Sequence, residues 1–235
     1  MPIRFGLASS HPVYTVIPAE CWEPQYQRVA GKTPAPNEAQ GETLDVLRGY
    51  VDRINAAFDQ LSSQLAAYKP DALIVVSDDQ GEVFDPRTGM PSIAIYMGAE
   101  ATGIDRIAYK LQGQEPPSEK TRLQGHPQLA QYLAEGLLER EFDLTCVREL
   151  TTDHGLGHGF MRTTPRLVPS LDVPVIPILL NCYYPPMPSA ARCLKLGQAL
   201  AELLEQRPER VAIYGSGGLS HDPGGPRAGW IDRPL

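Results

Sequence analysis

Residues 71–84 read "DALIVVSDDQGEVF". The run Leu73-Ile74-Val75-Val76 is too short and too β-branched for a helix, so it predicts a buried strand. It stops abruptly at Ser77, Asp78, Asp79 and Gln80, with Glu82 just beyond. Such an acidic tip is open to three readings. It can be a turn in which the aspartates accept backbone N–H groups, a metal site, or a metal site that has exchanged one ligand. Upstream, residues 42–69 place Leu44, Leu47, Val51, Ile54, Phe58, Leu61 and Leu65 at steps of three and four. That spacing predicts an amphipathic helix, ended by Pro70.

The same alternation continues along the chain. "IRFGLA" (3–8) predicts a first strand, stopped by "SSHP". Residues 18–42, rich in proline, glycine and polar side chains, predict a long loop over an opening. "MPSIAIYMG" (90–98) predicts a strand, and residues 111–124 a polar loop. "HPQLAQYLAEGLLEREF" (126–142) opens a helix with proline in its first turn. "DLTCVREL" (143–150) is strand-like. "VPVIPILLN" (173–181) predicts a strand whose two prolines put it near an edge or a bulge. Residues 189–207 predict a helix capped by Ser189, and "ERVAIYGSGGLSH" a last strand. Alternating strands and helices imply one α/β domain over residues 1–235, with a mixed, mostly parallel central sheet flanked by helices. Its site is expected at the strand ends.

Composition excludes some partners. A net charge of −7 disfavours nucleic acid and anionic membranes, which call for a basic face. No apolar run reaches the roughly 20 residues of a membrane span, and the N-terminus lacks the pattern of a signal peptide. Cys21, Cys146, Cys182 and Cys193 have no CxxC spacing and are expected as free thiols in the cytoplasm.

Four tips carry chemistry: "SSH" (9–11), "SDDQ" (77–80), "TTDHG" (151–155) and "GSGGLSH" (215–221). His11, His154, His158 and His221 all follow strands, whereas His126 stands at a helix start, where capping is the simpler role. The glycines of "GSGGLSH" let backbone or ligand approach closely. They do not make a dinucleotide-binding turn, because no amphipathic helix follows. Ser216 and Ser220 are not in a nucleophile elbow. What remains is a histidine on a stiff loop, suited to acid–base work.

These motifs, in this order, resemble the class III extradiol ring-cleavage dioxygenases, the superfamily of the protocatechuate 4,5-dioxygenase catalytic subunit. "SSH", "VVSDDQGEVFD", the His-Pro helix, "DHG" (153–155), "NCYYPPMPSAARCLKLGQAL" and "GGLSHDPGGPRAG" all have counterparts there. The resemblance implies an Fe(II) enzyme that opens a catecholic or gallate-like ring, an aromatic diol or triol, with O2. Its ion sits in a 2-His-1-carboxylate triad. Carried over, His11 is a metal ligand and His221 the base for the substrate hydroxyl. His154 is a catalytic hydrogen-bond or proton donor. Asp153 orients it, and Ser220 lies beside the substrate. Gln80 falls where the family has its second histidine ligand. Methylgallate dioxygenase-like members resemble this chain at "DDQ", and Asp78, Asp79 or Glu82 could supply a carboxylate instead. The family's carboxylate ligand lies beyond Leu235, so an incomplete C-terminal end and weak iron binding are expected of this chain. An alternative is a non-catalytic homologous subunit that has lost metal ligands. Assembly with copies of itself or with a homologous partner is expected of the family.

Overall fold

Val75 and Ile74 lie fully buried in the interior of a six-stranded sheet. The structure is a computed structural model and describes residues 5–30, 37 and 41–218. Its strands are β1 (Phe5–Ser9), β2 (Ala72–Asp78), β3 (Ile93–Tyr96), β4 (Glu100–Gly103), β5 (Thr121–Gln124), β6 (Thr145–Val147), β7 (Val175–Leu180) and β8 (Val211–Ser216). The helices are α1 (Trp22–Ala30), α2 (Leu44–Tyr68), α3 (Arg106–Leu111), α4 (Pro127–Glu139), α5 (His158–Met161), α6 (Thr164–Leu167) and α7 (Ala190–Glu205). The main sheet has the order β1-β8-β2-β7-β3-β6, and β4 pairs with β5 in a separate ribbon. The α/β fold with a mixed, mostly parallel sheet is as the sequence pattern implies. Among the described residues, no helix is long and apolar enough to cross a membrane.

Period-two alternation sorts the core. Ile74, Ile176 and Ile178 face α4 and α7 through Leu129, Leu133, Leu200 and Leu203. Leu73, Val75, Ala212 and Tyr214 face the other side, against Phe58 and Leu65 of α2, Phe160 of α5 and Leu167 of α6. Of the apolar face expected along α2, Phe58 and Leu65 are buried while Leu44 is exposed, so the deepest burial lies in the C-terminal half of the helix.

Three expectations change. Residues 22–30 of the predicted loop form α1, with Pro24 in the first turn, where its missing N–H has no helical partner to lose. The polar stretch 111–124 ends in β5, paired antiparallel with β4 from Glu100↔Gln124 to Gly103↔Thr121. Its alternation is too short to stand out. β7 is interior, not an edge, with β2 on one side and β3 on the other. Pro177 is tolerated because it sits opposite Val75 while the ladder to β3 begins only at Ile178.

Strand direction decides what meets at the site. β1, β8, β2 and β7 run parallel, and the registers Ser9↔Ser216 and Ser77↔Ser216 set three tips level. β3 is antiparallel to β7, and β6 follows β3. The C-terminal tip of β6 therefore lies at the opposite end of the sheet. "TTDHG" is not a fourth tip beside the other three; the chain from 148 to 157 must return before α5 packs against β2.

Leu133 is fully buried between α4 and the sheet. Leu133→Ala is expected to cost about 2–5 kcal/mol of unfolding free energy, read from urea denaturation.

Candidate active site

Residues 78–82 divide their polar side chains among four tasks. Asp79 is 2% exposed, and its carboxylate accepts the backbone N–H groups of Glu82 at 2.9 Å, Val83 at 3.0 Å and Phe84 at 2.8 Å. Burial nevertheless raises its pKa above the ordinary value, against the pull of those three donors. This is the capped turn, and it fixes the loop after β2. Asp78 points the other way, to His11, with Oδ1 3.4 Å from His11 Nε2. Gln80 donates from Nε2 to Asp78 Oδ2 at 2.8 Å. Glu82 reaches across to His158, accepting its backbone N–H at 3.0 Å and its Nδ1–H at 2.9 Å.

His11 is 9% exposed and held at its ring. Ser216 Oγ, at the tip of β8, donates to the Gly159 carbonyl at 2.5 Å. A hydroxyl has one proton, so at 3.0 Å Ser216 must accept from His11 Nδ1. Nδ1 therefore carries the hydrogen, and Nε2 turns toward the Asp78 carboxylate. A lone pair facing a carboxylate oxygen at 3.4 Å calls for a positive charge between them: a second ring proton or a cation.

His158 meets His11 edge to face, with ring centroids 5.1 Å apart. Burial would raise the Glu82 pKa, but the hydrogen bond and charge of His158, with Arg162 behind it, outweigh that and hold the carboxyl below its ordinary value. Two glycines make the approach of α5 feasible. A Cβ on Gly157 would strike the Glu82 carboxylate; one on Gly159 would fall on Ser77 Oγ and within 3.3 Å of His11 Cε1.

Of the residues expected at the site, His11 and Gln80 come together through Asp78. Asp153 and His154 lie exposed in the turn before α5. Ser220 and His221 lie outside the described residues. His158, Ser216 and Arg162 were given no role from sequence, although His158 and Arg162 stand one helical turn apart, and that spacing puts them on one face. The donor chemistry suits a mixed N/O metal site in two positions, His11 Nε2 and Asp78 Oδ1. No group of three or more His, Cys, Asp or Glu is arranged to hold a metal ion among the described residues.

Two outcomes follow. Gly159→Ala is expected to push α5 off β2 and disorder the His11 ring, at about 1–3 kcal/mol in stability, measured by denaturation and by the ring signals of His11. The Glu82 carboxyl titrates lower in the folded chain than its ordinary 4.5. Its stabilising contribution is thus complete above that value and is lost as pH falls through the lowered one. Asp79, with a raised pKa, works in the opposite sense, losing stability as pH rises past 3.8. Glu82→Gln should make the acid-side loss of stability below 4.5 shallower than in the wild type, read from melting temperature against pH.

A family model described as the catalytic LigB subunit of aromatic ring-opening dioxygenase matches residues 34–233. The chain is 38% identical over 111 residues to gallate dioxygenase of Pseudomonas putida, a match covering 45% of this chain and 32% of that one. It is 29% identical over 180 residues to a 2,3-dihydroxyphenylpropionate/2,3-dihydroxicinnamic acid 1,2-dioxygenase of Photorhabdus laumondii, covering 76% of this chain and 51% of the relative. The protein of the same name from Cupriavidus necator is 31% identical over 190 residues, covering 75% and 54%. The matches thus span from 32% to 54% of the length of these relatives. Extradiol dioxygenases of the LigB kind are metal-dependent. With the family model covering most of its length, the chain belongs to the LigB family of class III extradiol ring-opening dioxygenases.

Proposed function

We propose that this chain carries the catalytic site of an Fe(II)-dependent extradiol dioxygenase that opens an aromatic diol or triol with O2. The observation that carries this is His11. Its Nδ1–H is committed to Ser216, and its Nε2 lone pair faces the Asp78 carboxylate. Those two atoms offer the imidazole and carboxylate donors that a ferrous ion takes. A bound ferrous ion would supply attachment for the ring hydroxyls and electrons for dioxygen.

The chain's own residues do the rest. Ser216 keeps His11 in one tautomer. Gln80 holds Asp78 in place through its Oδ2 and leaves Oδ1 toward His11. In this reading Gln80 steadies a ligand instead of being one, and Asp78, the carboxylate nearest His11, takes the metal. His221 takes the hydroxyl proton of the substrate, as general bases do. His154, oriented by Asp153, returns a proton, and Ser220 hydrogen-bonds the substrate. A third donor would come from residues of the chain outside the described ones. The four cysteines are all free thiols, in keeping with a reducing cytoplasm.

A second reading, a non-catalytic homologous subunit, is favoured by Gln80 in place of the family's histidine and by only two donors meeting among the described residues. Anaerobic titration of ferrous ion into the 235-residue chain, with oxygen uptake on catechol and gallate, separates the two. Expected are saturable binding, its loss in His11→Ala and its weakening in Asp78→Asn. His221→Ala should bind iron normally yet cleave about 100-fold more slowly. Absence of binding in the wild type supports the non-catalytic subunit. Binding unchanged in Asp78→Asn removes that carboxylate from the site.

A further inference from the structure

His11 is held at its backbone as well as at its ring. Its ring is fixed by Ser216; its main-chain carbonyl accepts Nη1 of Arg162 at 2.8 Å. Arg162 is 6% exposed and follows the last residue of α5. The rest of its guanidinium is held by Asp105, Nε to Oδ2 at 2.5 Å and Nη2 to Oδ1 at 3.1 Å. Asp105 is fixed in turn as the N-cap of α3, accepting from Ala108 N at 3.3 Å. The planar fork of arginine serves the carboxylate and the carbonyl together, which the single ammonium of lysine cannot do in the same geometry.

The placement is specific to the site. One turn of chain, 158 to 162, carries His158 to Glu82, the Gly159 carbonyl to Ser216 and Arg162 to His11. A ring held through its side-chain partners still moves if its backbone shifts. With the carbonyl also held, the backbone from which the ring hangs is fixed, and the range of approach of Nε2 to Asp78 narrows. We propose that Arg162, braced by Asp105, is a positioning residue that sets the direction of the His11 ring for metal binding. The metal part of this rests on the function proposed above; the ordering of the His11 ring does not.

The test uses the full chain with Arg162→Lys and with Asp105→Asn, which keeps a capping oxygen for α3. Three quantities are read: the ring nitrogen and carbon-bound proton NMR signals of His11 without metal, ferrous affinity by anaerobic titration, and the melting temperature. The expected result is one sharp set of His11 signals in the wild type and broadened or split signals in both variants. Ferrous affinity should fall by about 10-fold or more, the scale of groups that orient a metal ligand. Sharp wild-type-like His11 signals in a folded variant overturn the proposal, as does a variant that melts early while its His11 signals stay unchanged. If Arg162→Lys does not fold, Asp105→Asn decides alone. If the wild type takes up no ferrous ion, the proposed function fails, and the His11 signals still settle whether Arg162 positions the ring.

Discussion

Ser216 has one proton to give, and it gives it to the carbonyl of Gly159. Everything at the site depends on that direction. Because the hydroxyl is already a donor, His11 must donate to it from Nδ1, so a neutral imidazole carries its lone pair on the Asp78 side. Were Ser216 turned, the histidine would present an N–H there, which suits a carboxylate and repels a cation. The tautomer of the candidate ligand is thus set by a serine on a neighbouring strand and a glycine carbonyl on a helix.

The acids of the β2 tip show how one short segment can do unlike things. Consecutive residues leave a strand on opposite sides. Asp79 is driven inward, where three backbone N–H groups receive it, and Asp78 outward to the histidine. Glu82 is placed by the turn that Asp79 holds and grips α5 through His158. Removing Asp79 would therefore be felt at His158, although the two do not touch. Each acid has its own partner, which is how three carboxylates share so small a volume without expelling one another.

Much of the fold was legible because β-branched runs and three-four spacing are local signals. "ALIVV" and "VIPILL" are strands whatever surrounds them, and the face of α4 is written in Leu129, Leu133 and Leu137. Strand direction is not local. Nothing in "TCV" states that β6 runs against β7, so the motif after it is not placed by its strand, and residues 148–157 carry the chain back toward α5. The same reversal hid His158, which reaches His11 only because the chain comes back through residues 148–157. Pro177 misled for a related reason: its tolerance depends on where a neighbouring ladder starts, a property of the pair and not of the residue. The place of His11 was legible because it follows β1, whose one neighbour in the sheet, β8, runs parallel to it.

The pairing of β1 with β8 has a temporal consequence. His11 and Ser216 are separated by 205 positions along the chain, and β8 lies between β1 and β2 in the sheet. The first strand can find no partner in that sheet until nearly the last of the described chain has been made. Contacts of such long separation form late and slowly. During synthesis the imidazole of His11 must therefore wait without its serine. The site can close only once β8 takes its place between strands that have already emerged.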